Sequence, residues 1–297
     1  MPYESNPGED AAEPDRLAFR ASREVRHTVI RVIGAHLKDG AAVSWQGLDF
    51  DFTGVVFDGG DFSGARFSGG TVTFFGASFP GNDTDEVVFD DAEFSGGDVS
   101  FAGAKFSGGA VTFFRAVFSG GSISFDDAKF TDGQVTFGDA QFSGGDVSFD
   151  LAKFSGGTVS FGSEFSGATV SFELAQFSAG MLNLAGAGFS GSSVSFGGAD
   201  LSGGDIAFDE AEFSGGEVIF DEAEFSDGTM SFEHAKFSGG TVNFEHAKFS
   251  GAEVNFSDAD DWSHPPKFDS QGTSPAGVKL PATKGGDRPG HIGGTPP

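Results

Sequence analysis

From Phe50 onward the apolar positions recur with a period that belongs neither to a helix nor to a flat strand. In FDFTGVVFDGGDFSGARFSG, residues 50–69, Phe52, Phe57, Phe62 and Phe67 stand five apart, and Phe50, Val55, Gly60 and Ala65 each precede one of them by two. Helical side chains repeat every 3.6 residues and strand side chains every 2.0. A period of five instead suits a coil: three residues run extended with the first and third pointing inward, and two more turn a corner. Four such sides close one turn.

After Phe67 the spacing alternates between seven and five, and the unit becomes twelve residues, as in AEFSGGDVSFAG from Ala92 to Gly103. Each inward pair, Ala92 with Phe94 or Val99 with Phe101, still makes one side, while the corner between them grows to four residues. Gly96 and Gly97 suit the positive φ values that such a corner needs. The pattern predicts 35 inward triplets from Phe52 to Phe256, nearly all ending in Phe. FPGNDTDEVVF, residues 79–89, has three extra residues and is expected to form an external loop. GSEF, residues 162–165, is one residue short and is expected to pinch a corner.

A coil of four sides takes 24 residues per turn and gives about nine turns, roughly 42 Å at the usual strand spacing. A coil of two sides takes 12 residues and reaches roughly 80 Å. The five-residue start favours four sides. Lys105, Lys129 and Lys153 weigh the other way, because a four-sided turn stacks them as like charges.

The flanks differ from the repeats. Asp15 to Leu37 reads as a helix with Asp15 as N-cap, and Val25, Val29, Val32, Ile33, His36 and Leu37 form an apolar stripe expected to cover the open end of the coil. Arg16, Arg20, Arg23, Arg26 and Arg31 are expected to be solvated. Residues 263–297 are rich in Pro, Gly, Ser and Thr and are expected to be a disordered tail. The expected domains are therefore a disordered N-terminus (1–14), a helical cap (15–45), a β-helix repeat domain (46–262) and the tail (263–297). Trp45 and Trp262 flank the array and are expected to cover its edges.

The stretches GDFSG and ARFSG, residues 60–69, resemble the units of pentapeptide-repeat proteins, which centre on Phe or Leu with a small residue two places earlier. VRHTVIRVIGAHL followed by a Phe-rich array is similar to actinobacterial members of that family. The resemblance implies an all-β solenoid: a right-handed, four-sided β-helix, here with an N-terminal α-helical cap. It also implies a candidate partner, because some members bind DNA gyrase by imitating DNA.

Composition sharpens this picture. The chain has 38 Phe, 48 Gly and no Cys, which removes disulfides, thiol nucleophiles and thiolate metal sites together. No secretory signal or membrane span is apparent, so a cytoplasmic, soluble protein without membrane insertion is expected. Of the formal charge of −27, residues 1–40 contribute six basic against seven acidic groups and residues 261–297 four against three. The repetitive middle, from position 41 to position 260, holds seven basic and 34 acidic groups and so carries a net −27 by itself. Such a surface repels nucleic acid.

Only outward positions are free to carry chemistry. Thr73, Ser100, Thr112, Ser124, Thr136, Ser148, Ser160, Ser171, Asn183 and Ser195 occupy the middle of Val-x-Phe sides. Such a hydroxyl ladder would suit ice or carbohydrate, but its simpler reading is that hydroxyl residues tolerate strand geometry and water. Between Lys153 and Lys236 there is no basic residue. Asp205, Asp209, Glu210, Glu212, Glu217, Asp221, Glu222 and Glu224 accumulate there and form the candidate acidic partner-binding surface. Spread over roughly 42 Å, the charge matches the order of B-DNA, about one per 1.7 Å. His234 and His246, in two copies of FEHAKF, would share a metal only in a two-sided coil. Paired carboxylates such as Asp126 with Asp127 are adjacent in corners and wet, which gives no pKa separation for acid and base roles. Gly197 with Gly198 lacks the strand-to-helix context of a phosphate loop. The sequence thus points to a non-enzymatic scaffold for protein interaction, with no catalytic residues, metal or cofactor. The alternative is an acidic DNA mimic for gyrase or another DNA-binding protein. A homodimer is compatible with either.

Overall fold

The computed structural model describes residues 7–8, 10–80, 86–269 and 275–282. Helix α1 (Glu13–Leu37) precedes a β-solenoid of about nine turns. Strand partners are parallel and lie one turn apart: Lys129 with Lys153, Phe130 with Phe154, Val135 with Val159. One turn therefore spans two of the repeat units and has four sides. Lys105, Lys129 and Lys153 do stack as neighbours. Their mutual repulsion is tolerable because the side chains are exposed and water screens them, and Asp127 lies 4.0 Å from Lys153.

The interior is four columns of aromatic rings. Successive rings such as Phe113, Phe137 and Phe161 stack at 4.7 and 4.6 Å, nearly parallel, at the strand spacing. Rings from facing Val-x-Phe sides meet edge to face, as Phe101 and Phe113 do at 6.1 Å and 86°. This places the positive edge of one ring against the negative face of the next. Ala or Val fills the space beside most of the rings. Leu184 and Leu201 replace Phe in two columns at neighbouring positions, and the stacking is interrupted there.

The two corner types have different causes. In the short corner, the amide after the corner bonds back to the Phe carbonyl, as from Ala92 to Phe89 at 3.1 Å. Its second residue takes positive φ, even when it is Leu151 (60°), Leu174 (56°) or His246 (61°). Those side chains point away from the coil, so the cost is local, about 1 kcal/mol each. In the long corner the third residue sits over the backbone of the previous turn. Gly133 has φ 79°, and a Cβ there would meet the carbonyl oxygen of Gly109 at 2.5 Å. Gly133→Ala is expected to lower the unfolding free energy by about 2 kcal/mol, from the disfavoured φ plus backbone displacement. Chemical denaturation checks this, and a loss under a few tenths would show that the corner reshapes freely.

The short side GSEF behaves as its spacing predicts. Gly162 alone makes the corner, Ser163 takes the inward position normally held by Ala, and its hydroxyl donates to the Phe137 carbonyl at 2.6 Å. The inserted loop falls largely on residues 81–85, outside those described. Its far end resumes the register, with Val87 beside Gly60.

Helix α1 differs from its sequence reading in three ways. It starts two residues earlier, with Ala12 as N-cap and Pro14 in the first turn, so Asp15 lies within the helix. Proline fits there because the first amides have no intrahelical partner. Val25, Val29 and Val32 do not cover the coil; they are about half exposed. Ile30, Gly34 and Leu37 are the buried residues instead, with Gly34 and Ile30 closest to Asp61 and Gly60. Finally, Arg23 and Arg26 are not simply solvated. Arg26 pairs with the Asp58 carboxylate, Arg23 donates to the Asp58 carbonyl at 3.1 Å, and His27 donates to that carbonyl at 2.9 Å. Asp58 is the one buried carboxylate among the described residues, and the basic face of the helix is drawn to the coil by its need for partners.

Trp45 stacks on His36 at 4.1 Å and is half-buried at the first coil. At the other end Trp262 meets Phe237 and Phe256 edge-on. The ladder continues past the expected boundary at 262: Phe268 stacks on Phe244 at 5.1 Å, and Val278–Lys279 pairs with Glu253–Asn255. Of the segments expected to be disordered, residues 1–6, 9, 270–274 and 283–297 lie outside the described residues.

Candidate interaction surface

The middle residue of many Val-x-Phe sides has a structural task that the sequence reading missed. Its side-chain oxygen accepts the first amide of the following corner. Ser124 accepts from Asp126 at 3.1 Å, Thr136 from Gly138 at 3.2 Å, and Asn183 from Ala185 at 2.9 Å. Ser, Thr and Asn are the residues whose short polar side chains reach a backbone amide two positions on. The signal was present in the sequence, since these residues recur before two-residue corners and not before four-residue ones. The hydroxyls also split into two separate rows: Thr73, Ser100, Ser124, Ser148, Ser171 and Ser195 are in register on one side, and Thr112, Thr136, Ser160 and Asn183 on another. Several also donate to corner carboxylates of the preceding turn, Ser148 to Asp126, Ser171 to Asp150 and Ser195 to Glu173.

The acidic candidates fall on one turn of the coil. Residues 205–228 hold nine carboxylates and no basic residue. Asp205 and Glu217 begin strands after long corners, Asp209 with Glu210 and Asp221 with Glu222 occupy the two short corners, and Glu212 and Glu224 stand on the remaining sides. The group is therefore a belt around the coil rather than one face. Its members differ in their contacts. Glu212 pairs with Lys236 at 2.5 Å, Glu224 with Lys248 at 2.6 Å and Asp221 with His246 at 2.8 Å, all from the following turn. Asp205 accepts from Thr229 at 2.5 Å, and Asp209 from Ser231. The carboxylates of Glu210, Glu217 and Glu222 are exposed and have no hydrogen-bond or ion-pair partner among the described residues.

His234 and His246 lie on opposite short corners, bonded to different neighbours, Asp260 at 3.1 Å and Asp221 at 2.8 Å. Among the described residues no group of three His, Cys, Asp or Glu could hold a metal ion. The hydrogen bond to Asp260 raises the pKa of His234, and that to Asp221 raises the pKa of His246. A folded-state pKa above the unfolded value of 6.5 gives stabilisation that is full below 6.5 and lost as pH rises through the folded pKa. Comparing melting temperatures at pH 5.5 and 8, the wild type is expected to lose more than a His234→Gln/His246→Gln variant. Equal losses would remove the two histidines from the pH dependence.

Among the described residues no helix is long and apolar enough to cross a membrane. The fold and its surface define a repeat solenoid whose interior is structural and whose corners carry charge. Residues 208–260 match the family model for pentapeptide repeats (9 copies). By this match residues 208–260 are pentapeptide repeats, and the same coil runs through the rest of the array. No curated protein matches it. Among solved structures it is similar to HetL, a pentapeptide-repeat protein involved in heterocyst differentiation regulation from the cyanobacterium Nostoc. That likeness has 14% identity, covers 70% of this chain and 86% of HetL, and has a TM-score of 0.25. It is also similar to trypsin-treated QnrB1, a plasmid-mediated fluoroquinolone resistance protein, at 15% identity, 79% and 90% coverage and a TM-score of 0.22. The full-length form of QnrB1 gives 14%, 76% and 93%, with a TM-score of 0.19.

Proposed function

We propose that the coil is a non-enzymatic scaffold that binds a protein partner through the acidic belt of residues 205–228. The supporting observation is that nine of the chain's carboxylates are concentrated in a single turn without a basic residue. Glu210, Glu217 and Glu222 are exposed there and free to meet cations of a partner. Solubility alone would be served by charge spread evenly along the coil. Pull-down from a cognate lysate with immobilised protein tests this. A Glu210→Gln/Glu217→Gln/Glu222→Gln variant is expected to lose the captured species; retention at wild-type level overturns the role of the belt.

The second reading is an acidic DNA mimic directed at gyrase or another DNA-binding protein. The charge density along the coil supports it, at about one per 1.6 Å against about one per 1.7 Å for B-DNA. A gyrase supercoiling assay with purified protein decides: inhibition or protection at micromolar concentration supports mimicry, and no effect on the enzyme sinks it.

A further inference from the structure

Helix α1 is apolar on two opposite faces, and the coil uses only one. Ile30, Gly34 and Leu37 are buried, whereas Leu17, Val25, Val29 and Val32 on the far face are 55%, 51%, 51% and 45% exposed. A helix exposing several large apolar residues along one face ordinarily has a partner. This face has a seven-residue order. Ala18, Val25 and Val32 are seven apart, as are Ala21, Thr28 and Ala35, and all six are exposed. Alternation of three and four between the two sets is the seam of a two-helix coiled coil.

The charges beside that seam choose the partner. Glu24 and Arg31 flank it on the same edge and have no polar partner among the described residues. In an antiparallel pair of identical helices, Val25 layers with the partner's Thr28 and Ala21 with the partner's Val32. That register brings Glu24 opposite the partner's Arg31, and the two-fold axis repeats the pair. Residues 1–40 carry six basic and seven acidic groups, whereas the repetitive middle carries the full −27. Two such acidic chains can thus approach at the helix with little repulsion. Residues 283–297 contain one large aliphatic residue, Ile292, too few to cover the face.

We propose that α1 is a dimerisation element through which two copies of this chain pair as antiparallel helices, with Glu24 of each opposite the partner's Arg31. Sedimentation equilibrium on the full chain tests it, with Trp45 fluorescence confirming that the cap stays docked. The wild type is expected to reach twice its 30.6 kDa mass at micromolar concentration. Val25→Glu/Val32→Glu should be monomeric. Glu24→Arg and Arg31→Glu should each weaken the dimer by about tenfold, two exposed pairs being lost at once, and Glu24→Arg/Arg31→Glu should restore it. A wild-type monomer throughout, or a dimer indifferent to Val25→Glu/Val32→Glu, overturns the proposal. Single charge reversals that weaken the dimer without restoration in the double variant overturn it equally.

Discussion

Phe137→Ala is expected to lower the unfolding free energy by about 4 kcal/mol. Phe137 is fully buried in the middle of the coil. Its ring lies between Phe113 and Phe161 in its own column and meets the edges of Phe125 and Phe149 at 6.0 and 6.3 Å. Truncation removes the transfer free energy of the ring and leaves a cavity that rigid, stacked neighbours cannot close. Each turn of a solenoid contacts only its neighbours, so the damage also weakens coupling between the two halves. Trp45 and Trp262 report the two ends separately. Urea melts of single-tryptophan versions are expected to coincide for the wild type and to separate for the variant. A loss below about 1 kcal/mol would show that the column is more plastic than close packing allows.

Asp58→Ala is expected to cost about 3 kcal/mol, localised at the cap. The substitution leaves Arg26 partly buried beside an apolar methyl group and removes the ion pair that fixes α1 on the first coil; side-chain exposures are 17% for Arg26 and 8% for Asp58. Asp58→Asn keeps the shape but not the charge and is expected to cost less. Circular dichroism at 222 nm follows the helix, whose loss should precede unfolding of the coil. A helix that melts together with the coil at the wild-type temperature would show that Ile30, Gly34 and Leu37 suffice.

The repeat was legible because inward positions of a coil admit little besides Phe, Ala and Val, and that constraint writes itself into every turn. The choice between two and four sides per turn was less so. Both preserve each Ala-x-Phe and Val-x-Phe triplet, and the lysine row argued for the wrong one because exposure makes its repulsion small. The cap was misread for a related reason. Periodicity finds an apolar face on α1, but with two such faces only the buried carboxylate of Asp58, well beyond the helix in the first coil, selects which one docks.

The candidate surface shows the same division. Composition located the acidic excess between Lys153 and Lys236, and the four-sided turn then wrapped Asp205 to Asp227 into a belt instead of a face. The hydroxyl row read most simply as residues that tolerate strand geometry and water; in the structure Ser124 and Thr136 have a further task and accept corner amides. The sequence by itself determined a coil with a phenylalanine interior and acidic corners, because burial constrains residue type at every inward position. Only the tertiary structure decided which surface groups became neighbours, because contacts between residues a full turn apart depend on how many sides a turn contains.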